Sequence, residues 1–191
     1  TKDVYNAIVI GSDGITLDGN GHTIVGWRRF WPFGAYWSDC GVCLYGRTGV
    51  TIKNLTVNDF IGNAIYLYSS SNNTITGNTL EEPDGLYYST GSGIIVENSS
   101  NNNTIMGNTL STNTDGIILC YSSSNNTLTA NTISWSRRQG IWLYGASGNR
   151  IYNNKFINNP SPQASGGSPC DNIFAFPAPT GGNYWSDFHT C

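Results

Sequence analysis

The sequence predicts an all-β solenoid, a parallel β-helix of about six coils, and three observations predict it. A repeat recurs along the chain: GVCLYGRTGVTIKNLTV from Gly41, AIYLYSSSNNTITGNTL from Ala64, GIIVENSSNNNTIMGNTL from Gly93, GIILCYSSSNNTLTANTI from Gly116 and GIWLYGASGNRIYNNKFI from Gly140. Apolar residues alternate with a period of two inside each repeat, and helical periodicity is absent. Ser, Asn and Gly fill the junctions, where turns are needed. One such repeat cannot bury its apolar side alone, whereas stacked neighbours bury a continuous core.

Taken in order, the chain opens extended over Thr1 to Ile10, and Gly14 to Ile24 continue a first coil. An insertion from Gly26 to Asp39 follows, rich in aromatics that include Trp27, Trp31 and Trp37. Each repeat then begins with a strand that points Val42 and Leu44, Ile65 and Leu67, Ile94 and Val96, Ile117 and Leu119, or Ile141 and Leu143 inward. A second strand carries Ile52, Ile75, Ile105, Leu128 and Ile151, and a third carries Val57, Leu80, Leu110, Ile133 and Phe156. Asn78, Asn108, Asn131 and Asn154 recur just before the third strand, where amides can stack as a ladder and where Asn tolerates a left-handed bend. A second insertion runs from Glu81 to Ser92, and a tail starts at Pro160. The expected layout is one domain over 1–191: first coil and aromatic insertion 1–40, repeat coils 41–159, tail or cap 160–191.

Composition narrows the function classes. Only 11% of residues are charged and the net charge is −3, which leaves no basic stripe for nucleic acid. No apolar run approaches the ~20 residues of a membrane span. The chain opens at Thr1 without a signal-peptide pattern and its one Met is Met106, as expected of a processed mature chain or a fragment. Five cysteines in a small Asn-rich chain point to an oxidising compartment, so an extracellular or cell-surface location is expected. Sequons at Asn54, Asn72, Asn98, Asn102 and Asn125 are compatible with surface glycosylation, although any chain rich in Asn, Ser and Thr produces such triplets.

The segment GITLDGNGHTI from Gly14, the NNTI turns and the closing GGNYWSDF from Gly181 to Phe188 resemble the NosD-like right-handed parallel β-helix family over nearly the whole chain. That resemblance implies a right-handed coil and kinship with carbohydrate-binding proteins and sugar hydrolases, common in secreted and surface-layer proteins, especially of archaea. It carries little about chemistry, because the matching residues are those that build coils.

The outward positions of the first strand are anomalous. They read Cys43, Tyr66, Ile95, Ile118 and Trp142, beside a file of Tyr45, Tyr68, Glu97, Cys120 and Tyr144. An apolar sheet face must be covered by its own chain, meet another subunit, or stack sugar rings on its aromatics. Partner-binding or carbohydrate-binding candidates are therefore Tyr66, Tyr68, Trp142, Tyr144, Trp31 and Trp37. Catalytic candidates are weak. Asn113-Thr114-Asp115-Gly116 resembles the NTD motif of polygalacturonases, but no second acid pair follows, and Asp115 with Arg138 reads more simply as an interstrand ion pair. Metal ligands are few. His22 lies in a turn, and the Cys40-x-x-Cys43 motif has no second pair, so neither a metal nor another cofactor is expected. Cys170 and Cys191 bracket the tail and are expected to tie it down, Cys40 can close on Cys43, and Cys120 is left as a free thiol or an intermolecular bridge.

Three functions fit these residues. The first is a non-catalytic structural protein that self-associates into a filament or surface layer through aromatic and end-on contacts. The second is a polysaccharide-binding module, and the third a polysaccharide hydrolase, lyase or epimerase.

Overall fold

The computed structural model describes residues 6–26, 40–60, 62–82, 91–160, 162–167 and 171–187. Its strands wind coil after coil: β1 (Asn6–Val9), β2 (Thr16–Asp18) and β3 (Thr23–Val25) form the first, and β4 (Cys40–Tyr45), β5 (Thr51–Lys53) and β6 (Thr56–Asn58) the second. Next come β7 (Asn63–Tyr68), β8 (Thr74–Thr76) and β9 (Thr79–Glu81), then β10 (Ile94–Glu97), β11 (Thr104–Met106) and β12 (Thr109–Ser111). The stack continues through β13 (Asp115–Cys120), β14 (Thr127–Thr129) and β15 (Thr132–Ser134), then β16 (Gln139–Tyr144), β17 (Arg150–Tyr152) and β18 (Lys155–Ile157). The tail contributes β19 (Ala164–Gly166) and β20 (Tyr184–Trp185).

Every pairing between these strands is parallel, in two sheets of seven strands and one of six. This is the parallel β-helix that the repeat predicts. The inward residues named above for the three strands, from Val42 to Phe156, lie in one continuous buried core. The glycine that opens most repeats has a steric cause. A Cβ on Gly116 would stand 2.5 Å from Ile133 Cγ2 and from the Gly140 carbonyl oxygen, so the chain turns into β13 only where that atom is missing.

Buried asparagines hold the corners. Asn78, Asn108, Asn131 and Asn154 stack as expected and continue to Asn183; Asn78 Oδ1 accepts from the Leu55 N–H, and each later Oδ1 accepts from the backbone N–H and the Nδ2 of the Asn one coil earlier. A second ladder runs through Asn73, Asn103, Asn126, Asn149 and Asn172. The left-handed bend falls one residue earlier than expected, at Gly77, Gly107, Ala130 and Asn153, with φ between 54° and 63°. Asn is needed on the ladder for its amide, which satisfies buried backbone groups, and the bend is a separate requirement.

The tail takes part in the stack. β19 pairs with β16, β20 pairs with β18, and Phe174 and Trp185 pack on the end of the core, where the Trp185 ring lies 4.3 Å from that of Phe156 at 10°. Two of the tail's five aromatics thereby close the core.

Candidate functional site

Alternation along β4, β7, β10, β13 and β16 sends every second side chain away from the core, onto the outer face of the first sheet. That face is largely buried within the single chain. Cys43, Tyr66, Ile95, Ile118 and Cys120 form a second apolar cluster with exposures of 0, 7, 4, 3 and 6%, and Tyr45 and Trp142 pack against it half-buried. Cys40 and Cys43 are joined in a disulfide at its edge, as their spacing allows, with Cα atoms 5.8 Å apart.

Glu97 is the polar centre of this cluster. Its Oε1 accepts a short hydrogen bond from the Tyr66 hydroxyl, and the Cys120 thiol donates to its Oε2 at 3.8 Å. Burial first, then the Glu97 carboxylate, push the Cys120 thiol up to about 12 and the Tyr66 hydroxyl higher still above its ordinary value. Cys120 is a free, buried cysteine, so of the two fates expected for it the structure places the thiol under cover.

At the C-terminal ends of the same strands the cover stops. Register sets Tyr45 beside Tyr68, Tyr68 beside Glu97, and Cys120 beside Tyr144, so one file of side chains runs along the rod axis. Tyr68 and Tyr144 are 40% and 52% exposed, and Tyr121, just past β13, is 59% exposed. The rings form two patches. Tyr45, Tyr66 and Tyr68 meet with centroids 5.9 to 6.5 Å apart, and Trp142, Tyr144 and Tyr121 meet at 5.8 to 5.9 Å. Tyr66 offers no free face and braces Tyr68 from beneath. Tyr45 and Tyr121 belong to the site although sequence reasoning did not select them. For Tyr45 the signal was available in the shared repeat position, whereas Tyr121 sits past the strand end and could be placed only by the fold.

At the other end of the strands lies Asp115, 2% exposed, with Oδ2 3.5 Å from Arg138 Nη1 and with the backbone N–H of Gln139 donating to the carboxylate. Its Oδ1 is buried with no hydrogen-bond partner. Desolvation raises its carboxyl above the ordinary value, and Arg138 and the Gln139 N–H offset part of that rise. The Arg138 guanidinium also stands over the Trp142 ring, 5.6 Å from its centroid.

All five sequon asparagines are exposed with φ from 53° to 58°, and at Asn54, Asn72, Asn102 and Asn125 the next residue is buried, whereas Ser99 after Asn98 is exposed and left-handed too. Three of their amides are already donors, from Asn54 to Asp18 at 3.1 Å, from Asn72 to Thr48 at 3.5 Å and from Asn98 to Ser69 at 2.6 Å. Trp31, Trp37, Cys170 and Cys191 lie outside the described residues. Among the described residues no three His, Cys, Asp or Glu side chains converge as metal ligands would.

No curated protein and no solved structure is similar enough to this chain to count as a match. One family does match, from residue 2 to residue 190, a span that takes in all three sheets together with the tyrosine file. The chain belongs to the NosD family, whose description is periplasmic copper-binding protein.

Proposed function

We propose that this chain is a non-catalytic extracellular β-helix that binds polysaccharide on the tyrosine file of its first sheet. One observation carries the reading: Tyr68, Tyr121 and Tyr144 hold exposed rings on a rod whose strands are fixed by parallel ladders on both sides. Rings held this way lose little conformational freedom on binding, and their faces accept the apolar face of a pyranose. The periplasmic description of the family agrees with an extracellular or cell-surface location. No helix among the described residues is long and apolar enough to cross a membrane. Affinity electrophoresis against a polysaccharide panel tests the reading. Retardation by at least one polymer is expected, reduced in Tyr144→Ala with an unchanged far-ultraviolet circular dichroism spectrum. Retardation by none refutes it.

Hydrolysis has weaker support. Glycosidases set two carboxyls roughly 5 to 10 Å apart. Asp115 lies five residues before Cys120, whose thiol donates to Glu97, so Asp115 and Glu97 stand roughly 16 Å apart along the strand direction and do not form such a pair. Copper, named in the family's description, does not fit the described residues. Cys40 and Cys43 are spent in a disulfide, Cys120 is buried with its thiol protonated, and Met106 lies on β11 in a different sheet.

End-on assembly into a filament is the second reading, favoured by the first coil. Among the described residues nothing pairs with the outer edges of β1, β2 and β3, and the inward Ile8, Leu17 and Ile24 are only partly buried. Electron microscopy across a concentration series decides it, rods lengthening with concentration in support and monomers throughout against.

A further inference from the structure

We propose that the ligand of the tyrosine file is a neutral linear polysaccharide lying parallel to the rod axis and spanning both aromatic patches at once; this rests on the polysaccharide-binding reading above. Orientation follows from register. Tyr68, Glu97, Cys120 and Tyr144 occupy equivalent positions on four consecutive strands, so the line from Tyr68 to Tyr144 crosses the strands and follows the stack. Three strand steps separate the two exposed rings by roughly 14 Å. That span is longer than a single sugar ring, and a short ligand reaches one patch only.

Charge selects the class. Among the described residues the carboxylate between the two patches is Glu97, which is partly exposed and carries one hydrogen bond on each oxygen, from Tyr66 and from Cys120. Each carboxylate oxygen has a further acceptor site, suited to a sugar hydroxyl and unfavourable to a uronate or sulfate. The nearest cations on either side each face an acid of this chain. Arg47, two residues beyond Tyr45, faces Asp13 at 3.9 Å, and Arg138, against Trp142, is paired with Asp115. A net charge of −3 adds to the bias against acidic polymers.

Two patches joined by one ligand give the second contact an effective concentration, so affinity must rise steeply once the chain is long enough. Isothermal titration with disaccharides and hexasaccharides of the cello, xylo, manno and chito series, and with alginate as the acidic polymer, tests this. At least one neutral hexasaccharide is expected to bind about a hundredfold more tightly than its disaccharide. Tyr68→Ala and Tyr144→Ala should each weaken the hexasaccharide about tenfold, with the disaccharide affected by one of them only. Both residues are exposed, so the substitutions leave the core intact, and circular dichroism verifies it. Equal affinity for short and long ligands, or loss in one variant with no change in the other, overturns the axial arrangement and leaves the binding reading standing. Binding of alginate with no binding of any neutral hexasaccharide overturns the charge class. Binding of nothing at all overturns both this proposal and the function on which it rests.

Discussion

Asp115 shows how one residue can look catalytic in sequence and structural in place. It is buried, one oxygen has no partner, and its carboxyl is raised by desolvation. A group whose folded value lies above its unfolded one adds stability below the ordinary value of 3.8, and that contribution is lost as pH climbs through the raised folded value. The charged form is therefore a cost to the fold near neutrality. Asp115→Asn keeps an acceptor for the Gln139 N–H, removes the charge, and leaves Arg138, which is 54% exposed, to water. Its stability relative to wild type is expected to improve between pH 3 and pH 7, read as urea midpoints at both pH values. An unchanged difference would show that Arg138 already balances the burial. Nothing in the NTDG string distinguishes these outcomes, because the desolvation comes from coils distant in sequence.

At the scale of elements, the strands and their inward faces were legible and the corners only in part. The period of two identified Ile75, Leu80, Ile105 and Leu110 as core, and each is fully buried. One Asn ladder was legible from its repeat position. The other was hidden in plain view: in Ser-Asn-Asn-Thr the first Asn bends the chain and the second is buried, and two identical letters do not say which does what. The same doublet produces the sequons at Asn72, Asn102 and Asn125. The ladders should dominate corner stability, since Asn131 Nδ2 donates to the Ile105 carbonyl and to Asn154, and its Oδ1 accepts two bonds from Asn108. Asn131→Ala strands those partners in a dry interior, where each unsatisfied group costs about 1–3 kcal/mol. A loss of about 3 kcal/mol or more is expected in guanidinium unfolding, against about 0.5 kcal/mol or less for the exposed Thr109→Ala. Equal losses would mean that water enters the corner and replaces the ladder.

For the whole molecule, what the sequence could not disclose is which aromatic residues cover, which cap and which remain free. Trp185 and Phe174 close the core, Tyr66 is buried, and Tyr68, Tyr121 and Tyr144 stay exposed, yet all six are aromatics outside the inward positions of the repeat. The difference arises from stacking, and stacking also makes the rod divisible. Ladder partners in the later coils are 23 residues apart, from Asn103 to Asn126 to Asn149, and each coil touches only its neighbours. Removing residues 104–126 joins Asn103 to Thr127, so both ladders and all three sheets re-form with one coil fewer. The shortened protein is expected to keep its parallel-sheet circular dichroism and a cooperative melt, at reduced stability. Deleting Thr127 alone shifts every later residue by one, turns the inward Leu128 outward and breaks both ladders at that coil. That protein should melt earlier and less cooperatively than the one lacking twenty-three times as many residues. In the shortened rod Tyr68 and Tyr144 stand two strand steps apart, roughly 10 Å, so the length of neutral oligosaccharide needed for tight binding should fall with the rod. A length requirement that stays the same would separate the fold's modularity from the ligand's alignment along it.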